Sequence, residues 1–421
     1  MGVQELTYEG LRKAMEGKAY AFRAVVDLLP AGGSGDKVFP PTYQGSVYAR
    51  EKRIVDGEEV NCVLLDSVQS QANRLELALL DWHRSVTSGE RPFPLVQIDF
   101  TGTEVDEVGV FTVLEAPHRI ADAIFFASEI EEDGKRVPFR HPRDKKKSSK
   151  IGRLVDEASL ADATGLFGLC PTALIFGMWD SHGARGGLGE KFQRVLTSEI
   201  IGVSATDDNK RPTSRIDPLI RVAGESLPIN INEDKTWALA EGTTGRNSQK
   251  LSKVGLGNVT PSLIDKDTGA YNHGGVSIRF ARQIAVLSLP ALRRLRFPTS
   301  TDGAEVAART TLAALALAAL SKQWEDGFSL RSRCDLVPKE EPKLTLIYPG
   351  GEEDFHLTFG RADEILRQAV RDAKEKGLPW PTGDDDEPWN KGILTLKPNE
   401  NLVKVVARSR ELASEQKGEE A

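Results

Sequence analysis

The sequence predicts an α+β fold with a mostly antiparallel sheet. Three observations carry this: strand-like and helix-like segments are mixed along the chain, strand-like runs often follow one another directly, which disfavours a doubly wound sheet, and there is no internal repeat. The 421 residues suggest two to three domain-sized units, or one domain with large insertions. A hydrophobic fraction of 39% is enough to build a buried core.

Taken in order, Ala19 to Leu29 is rich in β-formers and partly alternating, so it reads as a strand ended by the turn residues Pro30 to Gly35. Val60 to Leu65 reads as a second strand. Asp66 to Arg84 then reads as a helix, with Val68, Ala72, Leu75, Leu79 and Trp82 on one stripe, Asp66 as N-cap and Gln69 reaching back to it. Leu95 to Phe100 predicts a strand, Ala116 to Ser128 a helix, and Glu129 to Lys150 a mobile charged loop. Arg153 to Thr164 predicts a helix, while Thr172 to Trp179 and Arg194 to Val203 predict buried strands joined by a Gly-rich connection. Residues 205–274 lack apolar periodicity and suggest an inserted subdomain. Val276 to Leu289, Ser329 to Leu336 and Lys343 to Tyr348 read as strands, Ala304 to Trp324 and Gly360 to Lys376 as helices, and the rest as a solvated tail.

The net charge of −7 argues weakly against a nucleic-acid binder, but the charge is uneven. Lys135 to Arg153 holds nine basic residues against Asp144 alone, and Arg279 to Arg296 holds five arginines and no acid. Three distant cysteines, with no Cys-x-x-Cys, speak against a disulfide framework or a zinc site and for a reducing compartment. Met1 to Tyr20 lacks the apolar core of a signal peptide, and Leu312 to Leu320 is too short an apolar run to span a bilayer. These features predict a cytoplasmic protein.

Catalytic readings fare poorly. Ala31 to Lys37 and Gly186 to Lys191 lack the residue order of a phosphate loop. No two of the six histidines lie closer than 23 residues, which gives no local metal pair. Asp180 and His182 would share a strand face, though a loop hydrogen bond is the simpler reading, and Asp384 to Asp386 reads as a solvated acidic loop. The expectation is a protein without catalytic residues, cofactor or metal.

Four stretches stand out instead. LLDSVQSQANRLE, Leu64 to Glu76, puts Ser67, Gln69, Gln71, Asn73 and Arg74 on a helix that needs no amides for its apolar stripe. Together with the free N–H groups of a helix N-terminus, they suit a phosphate backbone. Leu166 to Gly202 carries His182, Arg185, Lys191 and Arg194 between glycines that let backbone approach a polyanion. GLGNVTP at Gly255 to Pro261 is followed by Gly274-Gly-Val-Ser. SLPALRRLRFP, Ser288 to Pro298, interleaves Arg293, Arg294 and Arg296 with apolar residues.

Together these motifs, in order from about residue 60 to 300, resemble the RAMP-superfamily backbone subunit of the type I-U (I-G) CRISPR-Cas Cascade surveillance complex. The resemblance implies an RRM-like (ferredoxin-like) palm with finger and thumb insertions. It implies that copies of the chain stack as a filament along a CRISPR guide RNA, with other Cascade subunits as partners, and pre-order the RNA for pairing with target DNA. The implied palm comprises residues 15–130, 151–204 and 275–376, the thumb 205–274, a basic finger-type loop 131–150 and a solvated tail 377–421. The implied RNA-binding set is Ser67, Gln69, Gln71, Asn73, Arg74, His182, Arg185, Lys191, Arg194, Arg293 and Arg294, with Lys145, Lys146, Lys147 and Lys150 on the finger or DNA-facing loop. The alternatives are a RAMP-type endoribonuclease using Asp180, Asp207 or Asp208, and a scaffold that never touches RNA.

Overall fold

Alternation along Ala21–Pro30 turns Phe22, Ala24, Val26 and Leu28 to one face, and that face is buried. In the computed structural model this strand lies near the middle of a ten-stranded sheet. The structure describes residues 3–44, 47–87, 89–142, 144–180, 191–206, 228–231, 236–240, 249–254, 256, 274–381 and 392–419.

Across the sheet, Leu344–Tyr348 is followed by Ala21–Pro30, Phe280–Ser288, Leu196–Val203, Glu58–Asp66 and Arg50–Val55, every neighbouring pair antiparallel. The longest pairing runs from Ala281 opposite Leu28 to Ser288 opposite Ala21. Among the described strands of this sheet, only the edge strand Gln4–Glu5 pairs parallel, on Gly351–His356. If Ala21–Pro30, Leu196–Val203, Phe280–Ser288 and Leu344–Tyr348 are counted first to fourth, their spatial order is fourth, first, third, second. The helix Val68–Ser85 connects the first to the second, and Ala304–Asp326 connects the third to the fourth. The hairpin Arg50–Val55 and Glu58–Asp66 is inserted before the first helix and widens the sheet at one edge. An α+β fold with a mostly antiparallel sheet is thus what the chain adopts.

Ala304–Asp326 is the core helix. Its Ala- and Leu-rich run from Ala307 to Leu320 is buried, and its alanines let Val68–Ser85 and Phe359–Glu375 pack closely on it. Among the described residues it is the one helix long and apolar enough to cross a bilayer, and it spends that apolarity inside the protein.

Amides and hydroxyls lock this core to the sheet. Gln71 donates to Asp66 at 2.6 Å and accepts from Ser198 at 2.8 Å and from Gln283 at 3.1 Å. Gln283 also donates to Gln323 at 2.8 Å and accepts from the Trp324 indole at 2.9 Å. Three strands and two helices therefore share one satisfied polar chain in a dry interior, the setting in which such bonds specify a unique arrangement.

A second, five-stranded sheet takes Ile393–Pro398 as its middle strand, parallel to Leu95–Asp99 and antiparallel to Ser128–Glu132. The expected solvated tail is corrected here. Leu394 and Leu396 are buried, and helix Glu400–Glu419 rests Leu402, Val403, Val406 and Ala407 on the core. Residues 382–391, which include the acidic run Asp384 to Glu387, lie outside the described residues.

Four local readings change as well. The charged stretch 129–150 is not a free loop: Ser128–Glu132 and Lys135–Pro138 form a hairpin, and Arg140 is fully buried. Ala116 to Ser128 folds as two single turns, Arg119–Ala121 and Ala123–Phe126. The helix expected from Arg153 to Thr164 starts earlier, as Lys150–Glu157 capped by Ser149, and stops before a separate helix, Thr164–Leu169. Thr172 to Trp179 is mainly the helix Pro171–Phe176. It is buried on every side, so its unbroken apolar run mimics a buried strand.

His83, buried beside Phe93 at a 5.1 Å ring separation, gives the fold a built-in acid sensitivity. Burial, aided by the Arg91 charge, pushes its pKa down to about 4. In the unfolded chain the pKa is roughly 6.5, so the unfolded state takes up the proton first. The stability tied to neutral His83 is complete above about pH 6.5 and is lost as pH falls towards about 4, to an extent of about 3 kcal/mol. Thermal melts at pH 7 and pH 5 should show a large drop for the native chain and a smaller one for His83→Gln; equal drops would contradict this.

Candidate nucleic-acid interface

The helix Val68–Ser85 starts one residue later than its sequence suggests. Ser67, not Asp66, is the N-cap, accepting from the Ser70 N–H at 3.3 Å. Asp66 instead ends the preceding strand and accepts from Ser70 Oγ, Gln71 Nε2 and Arg74 Nε. This shift places Gln69 at the second helical position, where it and Asn73 one turn on are exposed side by side.

Opposite them, a buried ion pair sets the backbone. Arg119 donates to both carboxylate oxygens of Glu76 at 2.6 and 2.7 Å, and its third nitrogen holds the Gly177 carbonyl at 2.9 Å. Burial pushes the Glu76 pKa up, against the pull of Arg119. Gly177 has φ +84°, and a Cβ there would sit 3.0 Å from the Phe192 carbonyl and 3.1 Å from Arg194, so only glycine fits this turn. Beyond it, Met178–Trp179 pairs with Lys191–Phe192, Trp179 facing Lys191.

The result is a concave cleft of about 830 Å³. The helix supplies Gln69 and Asn73, the strand pair and its continuation supply Trp179, Lys191, Gln193 and Arg194, and the Ser288–Pro298 motif supplies Arg294. Lys191, Gln193, Arg194 and Arg294 are all exposed, and Arg294 donates to Gln193 at 3.0 Å. Three exposed basic side chains and three amides thus converge from three segments at least a hundred residues apart.

Of the expected RNA-binding set, Gln69, Asn73, Lys191, Arg194 and Arg294 line this cleft. Ser67 is committed to capping. Gln71 is corrected: it is fully buried and its amide is used up in the core network. Arg74 is corrected too. It is tied to Asp66 and to the carbonyls of Ser329 and Leu330, and so clamps a hairpin to the helix. Arg293 likewise holds the Gly17 and Ala19 carbonyls. His182 and Arg185 lie outside the described residues.

The proposed finger lysines are not among the cleft residues. Lys145–Lys147 is a single turn capped by Asp144, with Lys146 and Lys147 exposed, and Lys150 pairs with Asp133 at 3.2 Å. Asp180, named for a nuclease, is ion-paired to buried Arg140; Asp207 and Asp208 lie outside the described residues. Sequence reasoning missed Trp179, Gln193 and His118 as cleft residues. The Trp179–Lys191 cross-strand pair depends on a turn that no local motif announces.

The fold and cleft define an α+β protein with a basic, amide-lined groove against its sheet, and part of the chain is similar to a CRISPR-associated family. More particularly, residues 23–207 match the model of the family described as CRISPR-associated protein GSU0053. The match runs from the first long strand past Arg194 and bears out the resemblance drawn from the sequence motifs. No curated protein matches the chain. Among solved structures, the crystal structure of Thermofilum pendens Csc2 aligns with 90% of this chain and 83% of its own, at 12% identity and a TM-score of 0.26.

Proposed function

We propose that the chain is a non-catalytic, guide-RNA-binding backbone subunit of a CRISPR Cascade, and that copies of it line up along one RNA. The single observation that carries this is the convergence of Lys191, Arg194 and Arg294 with Gln69, Asn73 and Gln193 on one cleft. Cations there bind phosphate, and amides bind ribose hydroxyls and base edges. The fourth-first-third-second strand order with two crossover helices supports reading the main sheet as an RRM-like palm.

In this reading residues 205–274 form the thumb, whose described residues include a three-stranded antiparallel sheet of Pro228–Ile231, Trp237–Leu239 and Gln249–Lys250. Holding the guide in an extended form before target DNA arrives removes part of the ordering entropy of pairing. The overall acidity helps keep free subunits off non-cognate nucleic acid.

Co-expression with a guide transcript, followed by purification and size-exclusion chromatography, tests this. The expected product is a multimer with a high 260/280 nm absorbance ratio that RNase lowers. A monomer free of nucleic acid, indifferent to the transcript even at low salt, would overturn the reading.

A further inference from the structure

Trp179 is half-exposed, at 49%, although its neighbour Met178 is buried and the strand is only two residues long. Its ring is not loose. Lys191 Nζ sits 4.4 Å from the ring centroid and covers one face. On the preceding side, the Gly177 carbonyl is gripped by Arg119 at 2.9 Å; on the following side, the Asp180 carboxylate is gripped by Arg140. Both guanidiniums are buried and ion-paired, to Glu76 and to Asp156 respectively. The chain on either side of Trp179 is thus held by a buried guanidinium, and the indole lines a cleft with three exposed cations.

We propose that Trp179 is a stacking platform for an unpaired base of single-stranded RNA, with Lys191, Arg194 and Arg294 taking the flanking phosphates. This deepens the RNA-binding reading and rests on it. Every base has a π-face, so a stacking contact tolerates any guide sequence, as a spacer-binding protein requires. Clamping the platform in advance means that little side-chain freedom is lost on binding.

The test uses the full chain and a short oligouridylate containing one 2-aminopurine, whose fluorescence falls on stacking. Trp179→Ala should weaken binding about 5- to 150-fold, abolish the quenching and leave the salt dependence unchanged. Trp179→Phe should retain most of both signals, which separates a stacking role from a folding defect. If the native chain binds and Trp179→Ala binds equally, with equal quenching, this inference fails while the cleft reading stands. If the native chain does not bind the oligonucleotide at all, both fail.

Discussion

Replacing Arg140 with methionine is expected to destabilise the chain by roughly 3–5 kcal/mol, read as the shift in its denaturant midpoint at constant slope. Arg140 comes from the most basic stretch of the sequence, yet among the described residues it is the largest fully buried side chain. Its guanidinium donates to Asp156 Oδ1 at 2.9 and 2.7 Å, reaches Asp180 Oδ2 and lies 4.1 Å over the Phe126 ring. Ser148 Oγ donates to the other Asp156 oxygen at 2.7 Å. Methionine fills similar volume but leaves two carboxylates in the interior without their cation, and that orphaning is the expensive part.

The rescue follows from the same logic. Arg140→Met combined with Asp156→Asn and Asp180→Asn should recover a large share of the loss, because no buried charge remains. Arg140→Lys should recover less, since an ammonium cannot reproduce the fork that meets both aspartates. A single substitution that proves neutral would show that this cluster is not closed in solution.

Which parts were legible in the sequence depends on how local their causes are. Alternation in Ala21–Pro30 and the helical stripe of Val68–Ser85 are written in neighbouring residues, and both elements form where the pattern puts them. The same holds for Phe280–Ser288 and Ala304–Asp326. Pro171–Phe176 failed because full burial erases periodicity, the only cue separating a short helix from a strand. Ile393–Pro398 failed because its partner Leu95–Asp99 is some three hundred residues away.

Site residues divide in the same way. A motif shows which side chains are polar but not which are already spoken for. Gln71 and Arg74 belong to the same run as Gln69 and Asn73, and only the helix phase and the neighbouring strands decide that the first two face inward. Arg293 and Arg294 are adjacent, yet one holds carbonyls at Gly17 and Ala19 while the other faces the cleft. The two aspartates that take up Arg140 were equally invisible, lying 16 and 40 residues downstream.

That division between structural and open cations gives the functional prediction of largest effect. Changing Lys191, Arg194 and Arg294 together to glutamine should lower affinity for single-stranded RNA about 100-fold at 0.1 M salt. It should also reduce the slope of log affinity against log salt by about 2, since each phosphate contact on a single strand contributes roughly 0.7. All three side chains are exposed on the cleft wall, so the melting temperature should move little. Arg74→Gln and Arg293→Gln make the contrast. Each removes a cation of the same motifs, but these cations tie backbone carbonyls, so stability should fall while the salt slope holds. Binding titrations across a series of salt concentrations separate the two groups. A triple variant with the native slope would mean that phosphate is held elsewhere, and the cleft would lose its claim to the RNA.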